Sequence, residues 1–272
     1  MIQHVVCRFS SVKKLLAVGV LSLFSAVLVK GALGQAQSQP VIEAATIKPV
    51  KEPNHTQFHD STEGRRLSMR YTTLSDLMMM AYEVDPRQIL DGPAWVATDE
   101  YDIDAVAVEG VQANESEEAM LKELMADRFQ IKVHREQRVM PVYVLEVAKG
   151  GPKLKAADAD RSENSGCEHI GVCWFHKRTL GNFARFMQFV VLDKPVVDQT
   201  GIAGSFDFEL KWTPDESQFR GMGIRVPLPT DGTTALPGLF TAIQEQLGLK
   251  LEARKIPAEV LVIDHVERPS EN

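Results

Sequence analysis

The sequence is poor in the signals that name an enzyme. It has no HExxH, GxSxG, Walker loop or GxGxxG. That removes the usual patterns of zinc peptidases, serine hydrolases and nucleotide-binding enzymes. Cysteine is scarce, with three in 272 residues. The first 34 residues contain no acid, no twin arginine precedes their apolar run, and no cysteine follows it to carry a lipid anchor. After that run, nothing approaches the roughly 20 apolar residues needed to span a bilayer.

What the N-terminus does contain is the three-part layout of a secretory signal peptide. Arg8, Lys13 and Lys14 precede the uncharged stretch Leu15 to Val29, and small residues follow it. Cleavage is expected after Gly34 or Ala36, with Ala36 preferred, so residues 1–36 are assigned to the signal. An uncleaved anchor is the alternative, although the run of about 15 residues is short for a bilayer. On this reading the protein is periplasmic or secreted, with no membrane span after cleavage.

The whole chain carries −7, and its first 34 residues contribute +4 through Arg8, Lys13, Lys14 and Lys30, so the remainder carries −11. A surface this acidic repels phosphate backbones and anionic headgroups, which excludes nucleic acid as a natural partner. Hydrophobic residues at 44% and charged residues at 25% give a globular balance with enough apolar material for a core.

Cys7 leaves with the signal. Cys167 and Cys173 remain, six apart, and in an oxidising compartment they read first as a disulfide. A metal site with His169 and His176 and a pair of free thiols are the alternatives. The spacing C-x-H-x3-C-x2-H matches no standard zinc pattern.

The apolar periodicity reads as α+β with antiparallel-rich sheets. Val41 to Val50 is expected as a strand, and Lys51 to Arg66 as a loop or hairpin with Leu67, Met69 and Tyr71 alternating on its second arm. A pattern then occurs twice. Thr73 precedes the helical stripe Leu74, Leu77, Met78 and Ala81, and Thr179 precedes Leu180, Phe183, Ala184 and Met187. Each stripe is followed by an alternating strand (Tyr101, Ile103, Ala105; Phe206, Phe208), a second helix (Leu121, Leu124, Met125; Phe240, Ile243, Leu247) and a further strand. Each pass closes on a strand opened by proline, Pro141 or Pro257. The order helix-strand-helix-strand-strand, met twice, predicts two copies of one α/β unit. They are placed at residues 37–150 and 179–272, with 151–178 as a linker bearing the disulfide loop. Thr213 to Gly238 is expected as a long loop inside the second unit.

Several phrases carry a family likeness: Gly92-Pro93-Ala94-Trp95, Tyr101-Asp102-Ile103, Pro141-Val142-Tyr143, Pro195 through Gly201, Phe206-Asp207-Phe208 and Gln246-Leu247-Gly248-Leu249. From about Val41 onward the chain resembles a large uncharacterised family of secreted proteins expanded in Acidobacteria, a domain-of-unknown-function family. The resemblance implies export from a bacterium and names no activity. Relatives that resemble fusions to sensor-type membrane metallopeptidases imply a sensing role.

Three readings of function follow. The first is an exported non-enzymatic module that binds an envelope protein or another envelope component, with sheet edges available for strand addition. The second is a hydrolase whose His134, Asp198 and His265 converge in one pocket. The third is a sensor or ligand-binding domain partnered with a membrane regulator. No catalytic residue, cofactor or metal is assigned. His55, His59 and Asp60 read as loop, Asp198-Gln199-Thr200-Gly201 as a turn rather than an aspartic-protease motif, and Asp102 and Asp104 as the wet face of a strand rather than a calcium site. Trp95 and Trp212 read as core anchors, with a ligand surface as the alternative.

Overall fold

The computed structural model describes residues 41–52, 59–220, 224–226 and 236–269. The signal segment 1–36 and His55 lie outside the described residues. The fold is α+β and rich in antiparallel sheet. Among the described residues no helix is long and apolar enough to cross a membrane.

In chain order the first half contains β1 (Ile42–Pro49), β2 (His59–Glu63), β3 (Arg66–Thr73), α1 (Leu74–Tyr82), β4 (Ile89–Leu90), β5 (Glu100–Ala107), α2 (Ala113–Arg128) and β6 (Lys132–Val147). The second contains β7 (Lys155–Ala156), β8 (Asn164–His169), β9 (Val172–Arg178), α3 (Leu180–Phe186), β10 (Val196–Asp198), β11 (Phe206–Lys211), α4 (Leu239–Ala242) and β12 (Leu249–His265). They build three four-stranded sheets, ordered β1-β5-β3-β2, β10-β6-β12-β4 and β7-β11-β9-β8.

The stripes expected for the helices face the cores. Leu74, Leu77, Met78 and Ala81 of α1 join Leu121, Leu124 and Met125 of α2 beneath the first sheet. Leu180, Phe183 and Met187 join Phe175, Leu210 and Trp212 beneath the third. Thr73 caps α1: its hydroxyl accepts the Asp76 N–H while the Asp76 carboxylate accepts the Thr73 N–H. Thr179 caps α3 through its hydroxyl, which accepts the Asn182 N–H at 3.1 Å.

Three expectations are corrected. The segment 151–178 is not a linker: it carries β7, β8 and β9, the third sheet's counterparts of the strands that precede α1. β7 and β8 are short and polar and escaped the apolar pattern, whereas β9 buries Cys173 and Phe175 in alternation. Second, Pro141 and Pro257 do not open strands. Each lies within one long strand, β6 or β12, and these two pair along their whole length. Proline is tolerated there because the third strands begin only later, β10 at Tyr143 and β4 at Leu261, so near the prolines the ribbon has open outer edges that need no donor. Third, Phe240 does not face the core. It is 41% exposed, while Ile243 and Leu247, expected on the same stripe, are buried.

The β6–β12 ribbon joins the halves. One end packs on the first core through Leu261 and Ile263, the other on the second core through Leu145, Leu249 and Leu251. Val142, Val144 and Ala258 form a small third core between them. The pairs Pro141–Lys255 and Val139–Pro257 flank the Met140–Ile256 pair, so exchanging the two strands maps one proline position onto the other.

Candidate site between the halves

Asp198 ends β10 and opens a turn. Its Oδ1 accepts the Thr200 N–H at 2.9 Å and the Thr200 hydroxyl at 2.7 Å, and Gly201 follows at φ +66°. The carboxylate also lines a cleft of about 210 Å³. Arg185 and Gln188 come to this cleft from α3 and the wide helical turn Met187–Val191 that continues it, and Val196 comes from β10. Glu83 and Gln88, which frame the turn after α1, come from the first half. β4 and β10 are opposite edges of the middle sheet, which a flat four-stranded sheet would hold roughly 14 Å apart. Residues beside both edges nevertheless line the same cleft.

The polar groups of the cleft are positioned from beneath. Glu83 is the C-cap of α1, in the left-handed region at φ 55°, and this turns the chain so that its carboxylate meets the Arg185 guanidinium of the other half. Gln88 is held at both ends of its amide. Its Oε1 accepts the Asp85 N–H at 2.9 Å and its Nε2 donates to the Glu259 carbonyl at 2.7 Å. Gln188 is 7% exposed, and its Oε1 accepts the Val196 N–H at 3.0 Å. That bond fixes the amide and leaves Nε2 as the donor on the cleft side. Wide turns of the kind that carries Gln188 occur often at functional sites.

The residues offered for hydrolysis are not gathered. His134 Nδ1 pairs with Asp264 at 2.9 Å, and His265 Nε2 pairs with Glu267 at 3.0 Å. Neither histidine lines the cleft with Asp198. Along β6, His134 stands opposite Val262, while Asp198 stands beside Leu145, eleven residues further on. The converging set is therefore withdrawn, because each imidazole is held by its own neighbouring carboxylate.

Cys167 and Cys173 are bonded to one another across β8 and β9. His176 Nδ1 pairs with the Asn164 amide oxygen at 3.0 Å, and the ring stacks on Trp174. No group of three or more His, Cys, Asp or Glu side chains able to hold a metal occurs among the described residues. Asp104 is bound by Ser68 and Arg70, and Asp102 accepts the Tyr71 N–H. Trp212 is buried and donates to Gln218, whereas Trp95 is half-buried beneath Arg268.

Sequence reading named Asp198 and missed its neighbours. Arg185 and Gln188 break an otherwise apolar stretch after Phe183, and a polar residue in such a stretch is the signal that was there to read. Glu83 and Gln88 gave no comparable signal.

The profile of a family described as a protein of unknown function (DUF3738) matches residues 75–266. The chain belongs to that family. The match covers α1 through the end of β12, and so includes every residue of the cleft. Neither the curated proteins nor the solved structures provide a match to this DUF3738 chain.

Proposed function

We propose that this DUF3738 protein is an exported binding module that holds a cell-envelope component in the cleft between its two halves. The observation that carries the reading is the cleft itself: both halves supply its walls, and its polar side chains are held in place by bonds to neighbouring groups. Clefts at the junction of structural units are the common places for ligands. The signal-like N-terminus and the disulfide support export. The acidic surface supports a partner that is neither nucleic acid nor anionic lipid.

The test is a cross-linking pull-down from envelope extract with the tagged mature chain from Gln37 onward. One envelope component should be retained and should be lost on competition with untagged chain. Retention of no specific component would remove the reading.

A further inference from the structure

The cleft has a charge pattern that selects among ligands. Arg185 comes from the second half and Glu83 from the first, and they pair with one another at the cleft. Both are partly exposed, at 27% and 45% of the side chain, so a ligand reaches them without unfolding anything. Asp198 adds a second carboxylate, of which one oxygen is taken by Thr200. The Gln188 side chain, more than nine-tenths buried, presents Nε2 at the cleft while its oxygen is held by Val196. The cleft therefore offers the Arg185 guanidinium and the amides of Gln188 and Gln88 as donors, Gln88 with one N–H already given to Glu259, and two carboxylates as acceptors.

We infer that the cleft takes a small zwitterion, with the ligand carboxylate between Arg185 and Gln188 and the ligand ammonium between Glu83 and Asp198. This rests on the binding-module reading and names its ligand class. The Glu83–Arg185 pair is exchanged for two charge-assisted contacts, so neither protein charge is left without a counter-charge when the ligand enters. A simple anion would satisfy Arg185 and strand two carboxylates, and a simple cation would strand the guanidinium. An uncharged sugar fits less well, since none of the lining residues is an aromatic on which a sugar ring could stack. The volume, about 210 Å³, lies below the roughly 300–1,000 Å³ of pockets for drug-sized ligands, which points to an amino acid or a dipeptide.

The experiment is calorimetric titration of the full mature chain with the twenty amino acids and the dipeptide Ala-Ala. Its comparators are N-acetyl-Ala-Ala, the C-terminal amide of Ala-Ala, and glucose. At least one zwitterion should bind, and blocking either of its ends should weaken binding at least about tenfold. Arg185→Gln should abolish the preference for a free carboxylate and Glu83→Gln the preference for a free ammonium, each with an unchanged melting temperature. Equal binding of the blocked and free forms, or binding of glucose alone, would overturn the assignment. If no zwitterion binds while the pull-down still retains its envelope component, the ligand class is wrong and the binding-module reading stands.

Discussion

The two end sheets have the same strand order, and what fills the space beneath them differs. In each, the third strand in space carries a left-handed residue two positions before the helix cap, Tyr71 at φ 57° before Thr73 and Lys177 at φ 53° before Thr179. In each, an aspartate on the neighbouring strand accepts that residue's N–H, Asp102 for Tyr71 and Asp207 for Lys177. Beneath the first sheet lie two regular helices of 9 and 16 residues with a core dominated by leucine and methionine. Beneath the third lie helices of 7 and 4 residues, each passing into a wide turn, with Phe175, Phe183, Phe186, Trp212 and Phe219 in the core. Only this half has a disulfide. Short helices bury less, and large rings with a covalent tie offset the shortfall. We propose that the two halves are diverged copies of one unit, with the second specialised to supply most of the cleft.

The comparison can be broken most sharply at Phe175, whose ring contacts Phe183, Phe186 and Phe208 at centroid distances of 5.1, 5.0 and 4.8 Å. Phe175→Ala should cost about 3–5 kcal/mol in chemical denaturation, at the upper end of what Leu77→Ala costs in the first core. A cost below about 2 kcal/mol would show that the aromatic cluster does not substitute for helix length.

The disulfide comes next. Replacing Cys167 and Cys173 together by serine should cost about 2 kcal/mol, the expectation for closing so short a loop. Hydrogen exchange should then rise in β8 and β9 and stay unchanged in β2 and β3.

The smallest effect is at the caps, where the halves differ in chemistry. Thr73→Ala and Thr179→Ala should each cost about 1 kcal/mol. Burial pushes the Asp76 carboxyl up, against the hydrogen bonds from the Thr73 side chain and backbone that pull it down. A carboxyl raised on folding makes the folded state hold its proton longer. Its contribution to stability is therefore greatest below the unfolded carboxylate range and falls as pH rises through the raised value. Asn182, at the matching position of α3, does not titrate. Asp76→Asn should keep the cap and flatten the pH dependence, read as denaturation midpoints from pH 3 to pH 8. An unchanged slope would place the pH dependence elsewhere, with Glu117 next, its carboxyl pushed up by burial and by Asp60.

Much of the fold was legible. The stripes of α1 and α3 and the alternation of β5 and β11 follow from burying one face, and the caps from Thr73 and Thr179. Strand length was not legible, because proline reads as a boundary and only the open edge of the ribbon makes Pro141 and Pro257 harmless. β8 was not legible either, and β2 only as one arm of the hairpin offered as an alternative to a loop: it is exposed at all five residues, and His59 and Asp60, expected in a loop, begin it. The cleft was least legible. It depends on the meeting of residues about 100 positions apart, such as Glu83 and Arg185. Local pattern contains nothing of that approach, and Asp198 alone showed as polar chemistry near a turn.

The central claim is that the cleft between the halves is where this DUF3738 protein binds. Gly181 lies at the cleft, is exposed, and has room for a side chain, its nearest contact being the Thr179 hydroxyl at 3.8 Å. Gly150 is exposed with nothing within 4 Å and lies outside the cleft lining. The most direct measurement compares Gly181→Trp with Gly150→Trp in the envelope pull-down, with both melting temperatures recorded. The account predicts that Gly181→Trp loses the retained component while Gly150→Trp keeps it, at equal stability. Retention by both would contradict the claim and move the binding surface away from the cleft.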